Sequence, residues 1–123
     1  MVFECIEGGD LSKRASLISA AGIETIKKLM KNLFEGISYI NEKGLIHRDL
    51  KPENILMKNS DTLTEIKIID FGLSTPVKIN RVIYTRCGTP GYIAPEVLNY
   101  KTGDDFYGFK VDVFSLGIIF HYL

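Results

Sequence analysis

The residues best equipped for chemistry form three groups along the chain. His47-Arg48-Asp49-Leu50-Lys51-Pro52-Glu53-Asn54 comes first, then Asp70-Phe71-Gly72, then Ala94-Pro95-Glu96, with 16 positions from Asn54 to Asp70 and 26 from Asp70 to Glu96. Asp49 offers a carboxylate that can accept or orient a hydroxyl proton. Asn54 and Asp70 offer hard oxygen ligands of the kind that suits magnesium. Lys51, two residues past Asp49, can neutralise charge developing on a transferring group. An oriented carboxylate, metal-binding oxygens and a cation together suit phosphoryl transfer. Any one of them alone would be a turn former or a solvated charge.

Around these groups the chain reads as short alternating elements. Residues 1–6 are an apolar-rich strand stopped by Gly8-Gly9, and Asp10 or Ser12 can cap the helix that follows. Between Ile23 and Glu42, apolar residues at 26, 29, 30, 33, 34, 37 and 40 mark one helical face, ended by Lys43-Gly44. Leu45-Ile46, Ile55-Met57 and Thr64-Ile69 read as short strands that bracket the first group and lead into the second. Residues 74–110 hold three of the four prolines and lack helical periodicity, which predicts a long loop region with one short helix near 95–99. Loops of that length in a compact domain are usually functional. Val111–Leu123 is apolar on all sides, the pattern of a buried helix.

Composition narrows the classes. Fifteen basic residues balance 15 acidic ones, so there is no electrostatic footprint for nucleic acid or an anionic membrane. No apolar stretch approaches the roughly 18–20 residues of a membrane span. Two cysteines, Cys5 and Cys87, fit a reducing compartment better than a disulfide framework. Met1 is followed by acidic residues and no basic leader. A cytosolic or nuclear setting is expected.

The three groups, in this order, resemble the eukaryotic protein kinase family. The Asp-x-Lys-Pro-Glu-Asn form at 49–54 and the run Cys87-Gly88-Thr89-Pro90-Gly91-Tyr92-Ile93-Ala94-Pro95-Glu96 resemble its serine/threonine branch. Together with Gly8-Gly9-Asp10-Leu11 they are most like the calcium/calmodulin-dependent and calcium-dependent kinases. The resemblance implies a mainly α fold with short β strands, an α+β arrangement. It identifies residues 1–123 as part of a kinase catalytic domain, from the inter-lobe hinge strand to a central helix of the large lobe. The glycine-rich loop, the ATP-pairing lysine and its glutamate partner would lie outside this stretch, and apolar surface should be left exposed.

The same resemblance implies ATP and Mg²⁺ as cofactors and serine or threonine hydroxyls of proteins as acceptors. It makes Asp49 the base, Lys51 the phosphate-steadying cation and Thr89 the bridge between them, with Asn54 and Asp70 holding the metal. Phe3 would be the gatekeeper, the backbone of Glu4 and Ile6 would meet adenine, Leu56 would lie under the base, and Asp10 would sit near the ribose. His47 and Phe71 would pack on each other. Asp10 and Glu53 would favour basic residues in the substrate, although Tyr122 stands where strongly basophilic relatives carry glutamate. Thr85 would be a phosphorylation site read by Arg48, with Thr75-Pro76 replacing a second basic group often found after Asp-Phe-Gly. Glu96 is expected to lack its counter-charge, and Asp112 to anchor the backbone around His47 and Arg48. Calcium or calmodulin control would act through other regions. The competing reading is a truncated or non-catalytic kinase-like interaction module.

Overall fold

The computed structural model describes residues 4–77, 86–101 and 107–123. Helix α1 (Leu11–Ala20) starts at Asp10, whose carboxylate accepts from the Lys13 backbone N–H at 3.1 Å. That bond satisfies one of the donors every helix leaves unpaired at its first turn. Helix α2 (Ile23–Glu42) has the bounds its periodicity predicts, and it buries Ile26, Leu29, Met30, Leu33, Ile37 and Ile40. Phe34, counted on that face, is instead 46% exposed. It sits at the edge of the stripe, where no described element covers it.

Strand β1 (Leu45–Ile46), a 3-10 turn at Pro52–Asn54 and strand β2 (Ile55–Met57) follow. Strand β3 (Ile66–Ile68) pairs antiparallel with β2, Ile55 opposite Ile68 and Met57 opposite Ile66. It is shorter than the predicted 64–69 strand because Ser60, Asp61 and Thr62 spend their side chains on local turn bonds. Strand β4 (Thr75–Pro76) pairs with β1. Nothing in its two-residue sequence announces it; the pairing partner makes the strand. Helices α3 (Pro95–Leu98) and α4 (Lys110–Tyr122) complete the described elements.

Two further expectations change. The predicted strand over 1–6 is not found at Glu4–Ile6, which form no regular element, while Met1–Phe3 lie outside the described residues. Helix α4, expected to be buried all round, buries Val111, Asp112, Ser115, Leu116 and Ile119. Val113, Phe114, Phe120 and Tyr122 remain exposed, because α2 covers only one side of it.

The larger apolar cluster joins α1, α2, β2 and α4 through Leu11, Leu29, Leu33, Ile55, Leu116 and Ile119. A smaller one, built from Ile46, Ala94, Val97, Tyr107 and Val111, lies under the segment that carries Ala94-Pro95-Glu96. The loop bearing His47–Lys51 runs between these two clusters and is held by both.

Gly8 shows how closely the chain entering α1 approaches β2. A methyl group added there would meet the Met57 carbonyl oxygen at 2.3 Å and the Asn59 carbonyl oxygen at 2.5 Å. The Met57 N–H donates to the Gly9 carbonyl at 2.8 Å, and Asp10 bridges to Leu56. The Arg14 Nε donates back to the Gly8 carbonyl at 2.9 Å.

Candidate active site

Burial begins at Asp112, the first acidic residue of α4, which has no exposed surface. One carboxylate oxygen accepts the His47 N–H and the other the Arg48 N–H, both at 2.9 Å. Burial pushes the Asp112 carboxyl up, while the two backbone bonds pull it down. The bonds give its charge a place in the interior. Asp112 thus pins the start of the loop bearing Asp49 to α4, as expected.

His47 is fully buried and stacks edge-on against Phe71, ring centres 4.9 Å apart. The Asp49 N–H donates to His47 Nδ1 at 3.3 Å, which makes Nδ1 the acceptor. The Nε2–H is then left to donate to the Ile69 carbonyl at 3.0 Å. One imidazole therefore ties the Asp49 backbone to the residue preceding Asp70.

Asp49 is buried, and its carboxylate accepts from three sides: Thr89 Oγ1 at 2.6 Å, Asn54 Nδ2 at 3.1 Å and Lys51 Nζ at 3.2 Å. Lys51 Nζ also donates to Thr89 Oγ1 at 2.8 Å, closing a triangle of Asp49, Lys51 and Thr89. Burial pushes the Asp49 carboxyl up, but the bonds from Thr89, Lys51 and Asn54 outweigh it, and the net shift is below the ordinary carboxylate value. Asp49 is thus held as an ionised carboxylate that accepts bonds from all three neighbours.

The backbone under this triangle is tight. Gly88 has φ 113°, and a methyl there would come within 2.8 Å of the Arg48 carbonyl oxygen. Only glycine lets the segment carrying Thr89 cross so close to the catalytic loop.

Asn54 and Asp70 are brought to one end of the β2–β3 pair. The Ile69 N–H donates to the Asn54 carbonyl at 2.9 Å, placing Asp70 one residue beyond that bond. Asn54 Nδ2 spends both hydrogens on the Asp49 carbonyl and carboxylate, which leaves its amide oxygen as the acceptor. Asp70 is exposed, adopts φ 62° and accepts the Gly72 N–H on one carboxylate oxygen. Among the described residues no group of three or more His, Cys, Asp or Glu side chains forms a metal cage. One carboxylate and one amide oxygen are hard donors of the kind Mg²⁺ takes, an ion that usually keeps waters in its shell.

Arg48 has φ 69°. Its Nε donates to the Leu73 carbonyl at 2.6 Å and its Nη1 to the Tyr107 hydroxyl at 3.1 Å. Thr85, expected to be its phosphorylated partner, lies outside the described residues, as does Phe3.

The residues expected at the nucleotide base divide. Leu56 is half-buried beside Asp10, as their bridge requires, and Ile6 is half-buried on the approach. The Glu4 side chain pairs with Lys67 on β3. Asp10 is otherwise engaged: besides capping α1 it pairs with Lys13 at 2.7 Å and accepts the Ser12 hydroxyl. Burial works against its charge, but the Lys13 and Ser12 bonds win and lower it to about 2. Glu53 and Glu96 are exposed, and Tyr122 is exposed at the end of α4.

Sequence reasoning missed two groups. Ser115 Oγ lies 2.8 Å from the Tyr92 carbonyl, linking α4 to the segment after Thr89. A lone hydroxyl in an otherwise apolar helix was the available signal. Tyr107, hidden in a stretch that reads as a loop insertion, had none.

A family model described as "Protein kinase domain" matches residues 1–123. The calcium/calmodulin-dependent protein kinase type 1 of Caenorhabditis briggsae is 42% identical over 123 residues, covering 100% of this chain and 33% of the relative. The ovarian-specific serine/threonine-protein kinase Lok of Drosophila melanogaster is 40% identical over 119 residues, covering 97% of this chain and 25% of the relative. Myosin light chain kinase A of Dictyostelium discoideum is 38% identical over 123 residues, covering 100% of this chain and 40% of the relative. The chain therefore spans a quarter to two-fifths of the length of these relatives. With the catalytic loop, the Asp-Phe-Gly turn and the Thr89 segment assembled as described, and a family model matching from end to end, the chain belongs to the protein kinase family and is similar to its serine/threonine members.

Proposed function

We propose that the protein transfers the terminal phosphate of ATP to serine or threonine hydroxyls of protein substrates, and that these 123 residues supply the central part of the large lobe of its catalytic domain. The observation that carries this reading is the closed triangle of Asp49, Lys51 and Thr89 with Asn54 attached to it. An acceptor hydroxyl entering beside Asp49 replaces part of the Thr89 contact and is turned toward the phosphate. Lys51, already 3.2 Å from the carboxylate, faces the charge that develops there. Asn54 and Asp70 would hold Mg²⁺, which when bound neutralises the phosphate oxygens. Ile6 and Leu56 would line the adenine site with the backbone of Glu4.

Substrate preference follows the exposed charge. Asp10 is committed to Lys13 and the cap of α1, so attraction for basic residues rests on Glu53. Phosphate on Thr85 would add donors' targets for the Arg48 guanidinium beside the catalytic loop. Control by calcium and calmodulin, suggested by the name of the type 1 relatives, would work through other parts of the protein. The two cysteines are free thiols, and no described helix is long and apolar enough to cross a membrane. Both features accord with a cytosolic enzyme.

The test is transfer of labelled phosphate from ATP to a basic peptide by the full-length protein. Asp49→Asn should lower kcat by about 10²–10⁴-fold with nucleotide affinity nearly unchanged, the range for loss of a positioned proton acceptor. A large loss of ATP binding would make Asp49 a metal ligand instead. Wild-type protein without transfer would favour a non-catalytic kinase-like module.

A further inference from the structure

The Arg48 backbone sits in the left-handed region, at φ 69°, directly before Asp49. A non-glycine residue keeps that conformation only where its surroundings over-determine it. Asp112 holds its N–H, the Gly88 segment crosses its carbonyl, and the Leu73 carbonyl takes its Nε. A further partner is a side chain from a different part of the fold, the Tyr107 hydroxyl, 3.1 Å from Nη1.

Tyr107 is only 5% exposed and belongs to the smaller apolar cluster with Ala94, Val97 and Val111. Its ring meets Tyr100 edge-on, centres 5.8 Å apart, just beyond α3. The Tyr100 carbonyl in turn accepts from Arg86 Nε at 3.1 Å. Burial, with the neighbouring Cys87 thiol, pushes the Tyr107 phenol up against the pull of Arg48, so the hydroxyl stays protonated and accepts from Arg48 without charge. A side chain packed under the Ala94-Pro95-Glu96 segment thus ends on the guanidinium next to the catalytic carboxylate.

The geometry points to Tyr107 as a positioning residue: its hydroxyl fixes Arg48, and through it the Asp49 loop, to the segment expected to receive the substrate, with no phosphate required. The inference rests on the kinase reading for its kinetic consequence but not for its structural one. Tyr107 touches no reacting atom. It sets where Arg48 points, and a small misplacement of a catalytic loop is costly in rate. A phosphate arriving at Arg48 would reinforce an arginine already held on two sides.

Tyr107→Phe in the full-length protein removes the hydroxyl and keeps the ring. Two measurements are made on phosphatase-treated protein: hydrogen exchange over residues 46–51, and steady-state kinetics with ATP and a basic peptide. The expected results are faster exchange in that loop and a fall in kcat of about tenfold, with KM for ATP nearly unchanged. In an Arg48→Met background the same substitution should have little further effect, because the contact is already gone. A role in packing alone predicts that Phe is silent in both measurements, and that result would overturn the proposal. Losses that add fully to those of Arg48→Met would overturn it too. If the wild type transfers no phosphate yet exchange accelerates in Tyr107→Phe, the kinase reading falls and the positioning role stands.

Discussion

Asp49 and Lys51 show how a site can be held ready without its substrate. The Asp49 carboxylate is ionised because Thr89, Lys51 and Asn54 together outweigh its burial. With its folded value below the ordinary 3.8, the ionised group contributes stability that is complete above that pH. The contribution is lost as pH falls through the depressed value. Lys51→Met takes away one of the opposing bonds and its charge, so the carboxyl should rise. In a pH profile of residual activity, the acid limb of kcat/KM is expected to move to higher pH than in the wild type, alongside a lower plateau. An unmoved limb would assign that ionisation to another group. At this scale the sequence was highly legible. Residue type and order brought Asp49, Lys51, Asn54 and Asp70 forward before any coordinates. The exception was Tyr107, whose partner Arg48 is 59 positions away, a distance no local pattern encodes.

Helix α1 is where one residue carries two expectations, a cap and a place near the nucleotide. Asp10 was assigned to the ribose by resemblance, yet its carboxylate caps the helix, pairs with Lys13 and accepts from Ser12. Asp10→Ala should therefore lower stability by about 1 kcal/mol, the usual worth of an N-cap, read by denaturant melts. KM for ATP should change little; a large rise would return Asp10 to the nucleotide. The cap contributes above the ordinary carboxylate range and is lost only as pH falls toward about 2. Elements differed in how well they could be read. Helix α2 was plain because apolar spacing carries over 20 residues. Strand β4 was not, since two residues become a strand only by lying against β1. The strand expected at 1–6 shows the reverse failure at Glu4–Ile6. The residues there have no partner strand among the described residues, and Glu4 meets β3 only through its side chain, on Lys67.

Across the whole molecule, the apolar face between α2 and α4 stands out. Met30, Phe34, Leu116 and Phe120 line an open trough of about 380 Å³. An apolar surface of that kind normally has a partner. A polypeptide of these 123 residues alone should bind an apolar dye, self-associate on gel filtration and transfer no appreciable phosphate. A well-behaved monomer that ignores the dye would mean that the trough needs no cover. Among the described residues two non-glycines are left-handed, Arg48 and Asp70, each within the candidate site. Such conformations cost on the order of 1–2 kcal/mol in an L-residue, and Asp softens the cost with its bond to Gly72. At position 70, on the proposed function, folding and phosphate transfer would pull in opposite directions. Glycine would suit the backbone as well as aspartate or better, but it would carry no oxygen for a metal. In a gene duplicate released from selection for catalysis, the first losses at this turn would cost the fold nothing. Descendants that keep the shape and lose the proposed reaction would therefore be an easy evolutionary outcome, one that the aspartate still present at position 70 speaks against.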